Sequence, residues 1–129
     1  LILADTDVLI DYLNGISPVY EQIARYVDAE QLATTVITIF ELLSGADDGK
    51  RGKAAKVIAG SLPILSLDFA SAERAAVIRR HLDRSGKSIG MADSLIAGIA
   101  LASDIPLFTR NRSHFARVPN LNLIEIQEV

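Results

Sequence analysis

Apolar residues fall along this chain in two alternating rhythms. Short unbroken runs suit buried strands, and longer stretches repeat every three or four positions as helices do. LILA, residues 1–4, has no polar interruption and reads as a strand buried on both faces. Residues 5–13 read as a helix stopped by Asn14-Gly15. Ser17 then reads as an N-cap with Pro18 at the first helical position, ahead of a helix with Val19, Ile23 and Tyr26 or Val27 on one face. LATTVI, residues 32–37, is rich in β-branched residues and predicts a second strand, followed by a helix over 38–46. Residues 47–53 read as a loop and lead into a basic helix ending near Gly60. LPILSL, residues 62–67, predicts a third strand, and the helix over 69–84 sets Ala75, Ile78 and Leu82 on its inner face. After a loop over 84–90, the helix over 91–103 is mostly small and apolar and should be buried. PLFT, residues 106–109, predicts a fourth strand, and NLIEI, residues 122–126, a fifth or an edge strand. No internal repeat or low-complexity segment interrupts the order. The expected fold is α/β: a mostly parallel sheet of four to five strands flanked by helices.

Composition narrows the chemistry. At 129 residues, half of them hydrophobic, the chain suits one compact domain over 1–129. It has no cysteine, which removes disulfides, cysteine-ligated zinc and thiol catalysis. No cationic leader precedes a long apolar run, and the longest apolar run, residues 95–102, is far short of the roughly 20 needed to cross a bilayer. The expectation is a cytoplasmic protein with no membrane association. A net charge of −3 rules out a uniformly basic nucleic-acid binder, so any nucleic-acid chemistry needs a local basic patch or a metal ion.

The acids supply that possibility. Asp5 and Asp7 follow the first strand, and Glu41 lies in the helix after the second. Asp93 sits in the first turn of the helix before strand four, and Asn111 follows that strand. In open α/β sheets, ligands bind beyond the carboxyl ends of the strands, an edge Asp5, Glu41 and Asn111 can all reach. Each acid also has a plain structural role open to it. Asp5 can cap a helix, TIFE (38–41) fits a capping box in which Glu41 reaches back to its own helix start, and Asp93 suits a helix N-terminus. Together they ask for more, because the segments that follow Asp5, Glu41 and Asp93 are among the most apolar in the chain. In one pocket, carboxylates 4 Å apart repel by roughly 4 kcal/mol per pair at an effective dielectric of 20. Protonation or a cation must answer that repulsion. Hard oxygen donors without cysteine suit Mg²⁺ or Mn²⁺, and such a site suits phosphoryl transfer or phosphodiester hydrolysis.

The segments ADTDVLIDYL, TIFELLSGA, MADSLIAGIAL and LFTRNRSHFARV resemble, in order and spacing, the signature segments of PIN-domain proteins. The likeness is greatest to the VapC-type toxins of bacterial toxin–antitoxin pairs. The resemblance implies a Mg²⁺- or Mn²⁺-dependent endoribonuclease, commonly a homodimer, silenced by a small antitoxin protein. Its acidic quartet falls on Asp5, Glu41, Asp93 and Asn111, with Asp5, Glu41 and Asp93 as metal ligands. Thr6 matches the hydroxyl residue often found after the first acid. Asn111 stands where many relatives carry aspartate, and Asp7 where asparagine is frequent.

RNA approaching an acidic site needs a basic rim. TRNRSHFAR offers Arg110, Arg112, His114 and Arg117 beside Asn111, and Thr6, Asp7, Arg110 and Arg112 are the candidate substrate contacts. Phe115 reads as a buried loop anchor in preference to a base-stacking platform. Two further basic groups, Lys50, Arg51, Lys53 and Lys56, and Arg79, Arg80, Arg84 and Lys87, read by default as solvated faces. Two rival readings and a variant stay open. A haloacid dehalogenase-type phosphatase would use Asp5 as nucleophile and Asp7 as acid/base, but needs a downstream lysine and a later acidic pair. A non-catalytic receiver-like module would use Asp68 as its phosphorylation site. A PIN-like chain that lost catalysis would bind partners alone.

Overall fold

The computed structural model describes residues 1–45 and 49–128. Among them four strands, β1 (Ile2–Ala4), β2 (Leu32–Thr35), β3 (Ile64–Leu65) and β4 (Leu107–Phe108), form one sheet in the order β3-β2-β1-β4, and every neighbouring pair is parallel. Among the described residues seven helices surround it: α1 (Thr6–Leu13), α2 (Val19–Asp28), α3 (Val36–Ser44), α4 (Lys50–Ser61), α5 (Phe69–Arg84), α6 (Met91–Ser103) and α7 (Arg112–Phe115). Parallel neighbours need crossover helices, and those helices cover both faces of the sheet. The expected α/β architecture is the one observed.

Alternation along β1 separates two cores. Leu3 turns to the face covered by α5, α6 and Phe115, where it joins Ala33 and Leu107. Ala4 turns to the other face, where it meets Phe108, Leu32 and the buried sides of α1, α2 and α4. Ala75, Ile78 and Leu82 are buried on α5 as their spacing predicts, and Phe115 is fully buried. The α5–α6 contact is close because α6 carries Gly98: a Cβ there would stand 2.5 Å from the Ser71 carbonyl oxygen. No helix is long and apolar enough to cross a membrane among the described residues.

Several local expectations are corrected. Strand β2 stops at Thr35 and α3 already begins at Val36, because Thr35 is the N-cap and its hydroxyl accepts from the Thr38 amide at 3.1 Å. Thr38 is therefore inside the helix, and Glu41, a turn further on, is not the reciprocal member of a capping box. Ser17 is not the cap of α2. Pro18 occupies that position without a side-chain bond, and the Ser17 hydroxyl binds Glu21 instead. Of the expected loop over 47–53, residues 50–53 are already helical, while Asp47 and Asp48 lie outside the described residues, as does the expected last helical residue Ala46. The terminal segment does not make a fifth strand. It forms a single parallel bridge, Leu123 to Leu107, held by amide–carbonyl bonds of 2.9 Å on either side. Buried Gln22 anchors the chain beyond that bridge: its Nε2 donates to the Glu125 carbonyl and its Oε1 accepts from the Gln127 amide.

Candidate active site

Because the strands are parallel, β1, β2 and β4 all deliver their carboxyl ends to one edge. Asp5 leaves β1 there, Thr35 leaves β2 into α3 and so positions Glu41, and Thr109 to Asn111 leave β4. Asp93, in the first turn of α6, arrives from the side. Asp5, Glu41, Asp93 and Asn111 line a single open hollow of about 490 Å³. Thr6, Asp7 and Arg110 complete its wall, and Ile10 adds an apolar patch. Seven of the eight candidate site residues read from the sequence are thus brought together.

The eighth, Arg112, is not. Its guanidinium donates to the Ile124 carbonyl at 2.7 Å and pairs with Glu125 at 2.8 Å. It fastens the terminal segment and does not line the hollow. Arg110 does face the hollow, and its Nε is paired at 2.9 Å with Asp11, a buried carboxylate on α1.

Both oxygens of Asp5 are held. Oδ1 accepts from the Thr6 amide at 2.8 Å, and Oδ2 accepts from the Thr109 hydroxyl at 2.7 Å. Asp5 does cap α1, but it is only 5% exposed, which a surface cap would not be. Burial above all, then the charge of Asp7, pushes its carboxyl up from 3.8 to about 7. The bonds from Thr109 and Thr6 act against that rise, and Asp93 adds a smaller upward push. Asp7 accepts from the Arg110 amide at 3.1 and 3.2 Å; burial raises its carboxyl as well, against that bond and the Arg110 charge. Asp93 is raised by burial and then by the charge of Glu41, with His114 pulling the other way.

Glu41 accepts from the Thr6 hydroxyl at 2.6 Å, so a residue of α1 orients a carboxylate of α3. The Asn111 amide nitrogen donates to Asp93 Oδ2 at 3.2 Å and lies 3.1 Å from His114 Nδ1, which in that pairing is the acceptor. This leaves the Asn111 carbonyl oxygen as its remaining donor to a cation. His114 thus braces Asn111.

The donor set fits a hard divalent cation. It offers carboxylate and amide oxygens without sulfur, and the upward-shifted Asp5 and Asp93 each feel the other acids, a repulsion that a cation relieves. The side chains are not drawn tight around a point, however. Among the described residues, no three carboxylate or imidazole groups converge as a finished metal site.

Sequence reasoning missed two members of this network. Thr109 is fully buried, bonds Asp5 and accepts from the Asn111 amide at 3.0 Å. Its signal was a hydroxyl directly after the buried pair of β4. Asp11 had no signal beyond its place in an apolar helix. The two rival readings lose their footing here: among the described residues no lysine lines the hollow, and Asp68 does not line it either.

Comparison with known proteins agrees with the geometry. The PIN domain family model matches residues 2–121. Ribonuclease VapC10 of Mycobacterium tuberculosis is 32% identical over 115 residues, covering 89% of this chain and 86% of the relative. Ribonuclease VapC1 of Methanocaldococcus jannaschii is 30% identical over 122 residues, covering 95% and 84%. Among solved structures, VapBC-1 from nontypeable Haemophilus influenzae superimposes with a TM-score of 0.81 at 25% identity, covering 96% of each chain. VapBC2 from Rickettsia felis, bound to a DNA fragment from its promoter, shares the fold with a TM-score of 0.82 at 24% identity, covering 95% of this chain and 96% of that one. A matched family model over nearly the full length, four segments in order and an acidic hollow at the sheet edge lead to one conclusion: this chain belongs to the PIN-domain family.

Proposed function

We propose that this chain is a VapC-type endoribonuclease, the toxin of a toxin–antitoxin pair, a single nuclease domain acting on RNA in the cytoplasm. The observation that carries this reading is the meeting of Asp5, Glu41, Asp93 and Asn111, from four separate elements, in one hollow. The ribonuclease names of its relatives support it. Asp5, Glu41 and Asp93 would hold Mg²⁺ or Mn²⁺, with Asn111 contributing its amide oxygen. When bound, the ion supplies positive charge that makes the acidic cluster tolerable and polarises the scissile phosphate.

The protein's own groups do the rest. Thr6 and Thr109 fix Asp5 and Glu41 before substrate arrives, so little reorganisation is left for the reaction. Asp93 or Glu41 orients the attacking water and takes its proton as the phosphorus–oxygen bond breaks. Arg110, anchored by Asp11 at the rim, presents its charge to an incoming phosphate.

A protein partner is in keeping with the surface. Val36, Phe40 and Leu43 stand one turn apart on α3, and all three are exposed, Phe40 by 67%. Leu42 between them is buried in the core. An antitoxin or a second copy of the chain is the occupant the family suggests for such a face, and solved neighbours include VapBC assemblies.

The test is cleavage of single-stranded RNA by the purified chain with Mg²⁺ or Mn²⁺ present. EDTA should stop it, and Asp93→Asn should stop it at any metal concentration. Cleavage that survives both would overturn the reading.

A further inference from the structure

A second concavity lies beyond α7 from the hollow. It is a groove of about 320 Å³ between the end of α5 and the outer side of α7. His81, Ser85 and Lys87 form one wall, and Ser113 and Arg117 the other, over a floor that includes the buried Leu82. Three residues with basic side chains and two hydroxyls on a chain of net charge −3 make an anion-binding surface.

The plain account of these residues is incomplete. Basic residues in the last turn of a helix complement its dipole, and His81 on α5 needs no other reason. Lys87 lies past the helix end, and Arg117 comes from another element, so the dipole explains neither. Among the described residues, Lys87 has no ion-pair partner and the Ser113 hydroxyl makes no hydrogen bond, while Arg117 spends one nitrogen on the Ser88 carbonyl at 3.0 Å.

The wall is also built in advance. The Ser85, Gly86 and Lys87 amides donate to the His81, Asp83 and Leu82 carbonyls, with Gly86 in the left-handed region at φ 68°. The Ser88 hydroxyl binds Asp83, and Arg117 ties the loop to the far wall. A groove held this way loses little entropy when it binds.

Its position gives the ligand. Asn111, just before α7, faces the hollow, whereas Ser113 on α7 and Arg117 just past it face the groove. Asn111 on the hollow and Ser113 on the groove are two residues apart, so their Cα atoms lie within about 7 Å of each other. A strand lying in the hollow and passing over α7 comes directly to the basic groove. We propose that this groove is an exosite that binds backbone phosphates of the RNA strand beside the scissile bond, a proposal that rests on the ribonuclease reading above.

Binding to fluorescein-labelled poly(U) tests it, measured by anisotropy across a salt series in the cleavage-silent Asp93→Asn background. Lys87→Glu, which breaks no ion pair within the fold, should weaken binding about tenfold. It should also flatten the plot of log affinity against log salt by about 0.7 for each phosphate that the groove stops neutralising. Adding Arg117→Glu should deepen both effects, while Lys56→Glu on α4, the same charge change elsewhere, should weaken binding less than twofold. Equal effects of Lys87→Glu and Lys56→Glu would overturn the exosite, as would wild-type-like salt dependence in both groove variants. Capture of poly-glutamate at Lys87 and Arg117 with no RNA bound would overturn it too, assigning the groove to an acidic protein. Poly(U) binding that depends on Lys87 in a wild-type chain that cleaves no RNA would uphold the groove and fell the nuclease reading alone.

Discussion

Two aspartates in this chain do the same local job and meet opposite fates. Asp5 ends β1 and caps α1, and Asp68 follows β3 and caps α5. Each accepts an amide bond at the start of its helix, Asp5 from Thr6 and Asp68 from Ser71. Asp68 stands in water, and its bonds from Ser71 hold its carboxyl below the usual range. Asp5 is walled in by Thr109, Asp7 and the apolar start of α1, and its carboxyl rises to about 7. Capping chemistry is common to both. What separates them is whether the rest of the fold removes solvent and adds other acids, and only the second situation creates a site that wants a cation.

The comparison breaks most visibly in catalysis. Asp5→Asn should lower RNA cleavage by on the order of 10³-fold, the upper range for deleting one preorganised charged group, whereas Asp68→Asn should leave the rate within twofold. A gel-based cleavage assay on both variants decides it, and similar losses would mean that Asp5 acts only through folding.

Stability should move the other way. Below pH 3.8 Asp5 is protonated in both folded and unfolded chains and costs nothing. As pH rises toward 7 the unfolded chain releases the proton while the folded chain keeps it, so stability is lost across that window and the loss is complete above 7. The rise from 3.8 to about 7 amounts to about 4 kcal/mol at most. In EDTA, Asp5→Asn should therefore raise the melting temperature at pH 8 and lose that advantage near pH 4, since the amide oxygen can still accept from the Thr6 amide and the amide nitrogen can donate to the Thr109 hydroxyl. Added Mg²⁺ should stabilise the wild type at pH 8 more than at pH 5. Thermal melts of both chains across pH check this, and an advantage independent of pH would refute it.

The smallest effect sharpens the other half. Asp68→Ala removes a cap and nothing more, so it should cost about 1 kcal/mol in urea unfolding with cleavage intact.

Much of this was legible in the chain itself. Unbroken apolar runs and helical spacing predicted all four strands and the long α5 and α6, because those periodicities are imposed by burial along each element. The acids at strand ends could be read as one site because parallel strands share a carboxyl edge. The boundaries were less legible. TTVIT offers three threonines as caps, and Thr35 was chosen by strand register, which left Thr38 inside the helix and Glu41 free to meet Thr6. Arg110 and Arg112 look alike in TRNRSHF, yet one borders the hollow beside Asp11 and the other fastens Glu125.

By itself, then, the sequence determined the order of elements, the two-sided core and the set of acids that the sheet edge would collect. The tertiary structure alone decided which hydroxyl holds which carboxylate and which arginine faces the hollow. It also decided which aspartate loses its water. The reason is physical. Periodicity is a property of neighbours in the chain, while desolvation and hydrogen bonding belong to partners such as Asp5 and Thr109, 104 residues apart and adjacent only because β1 pairs with β4.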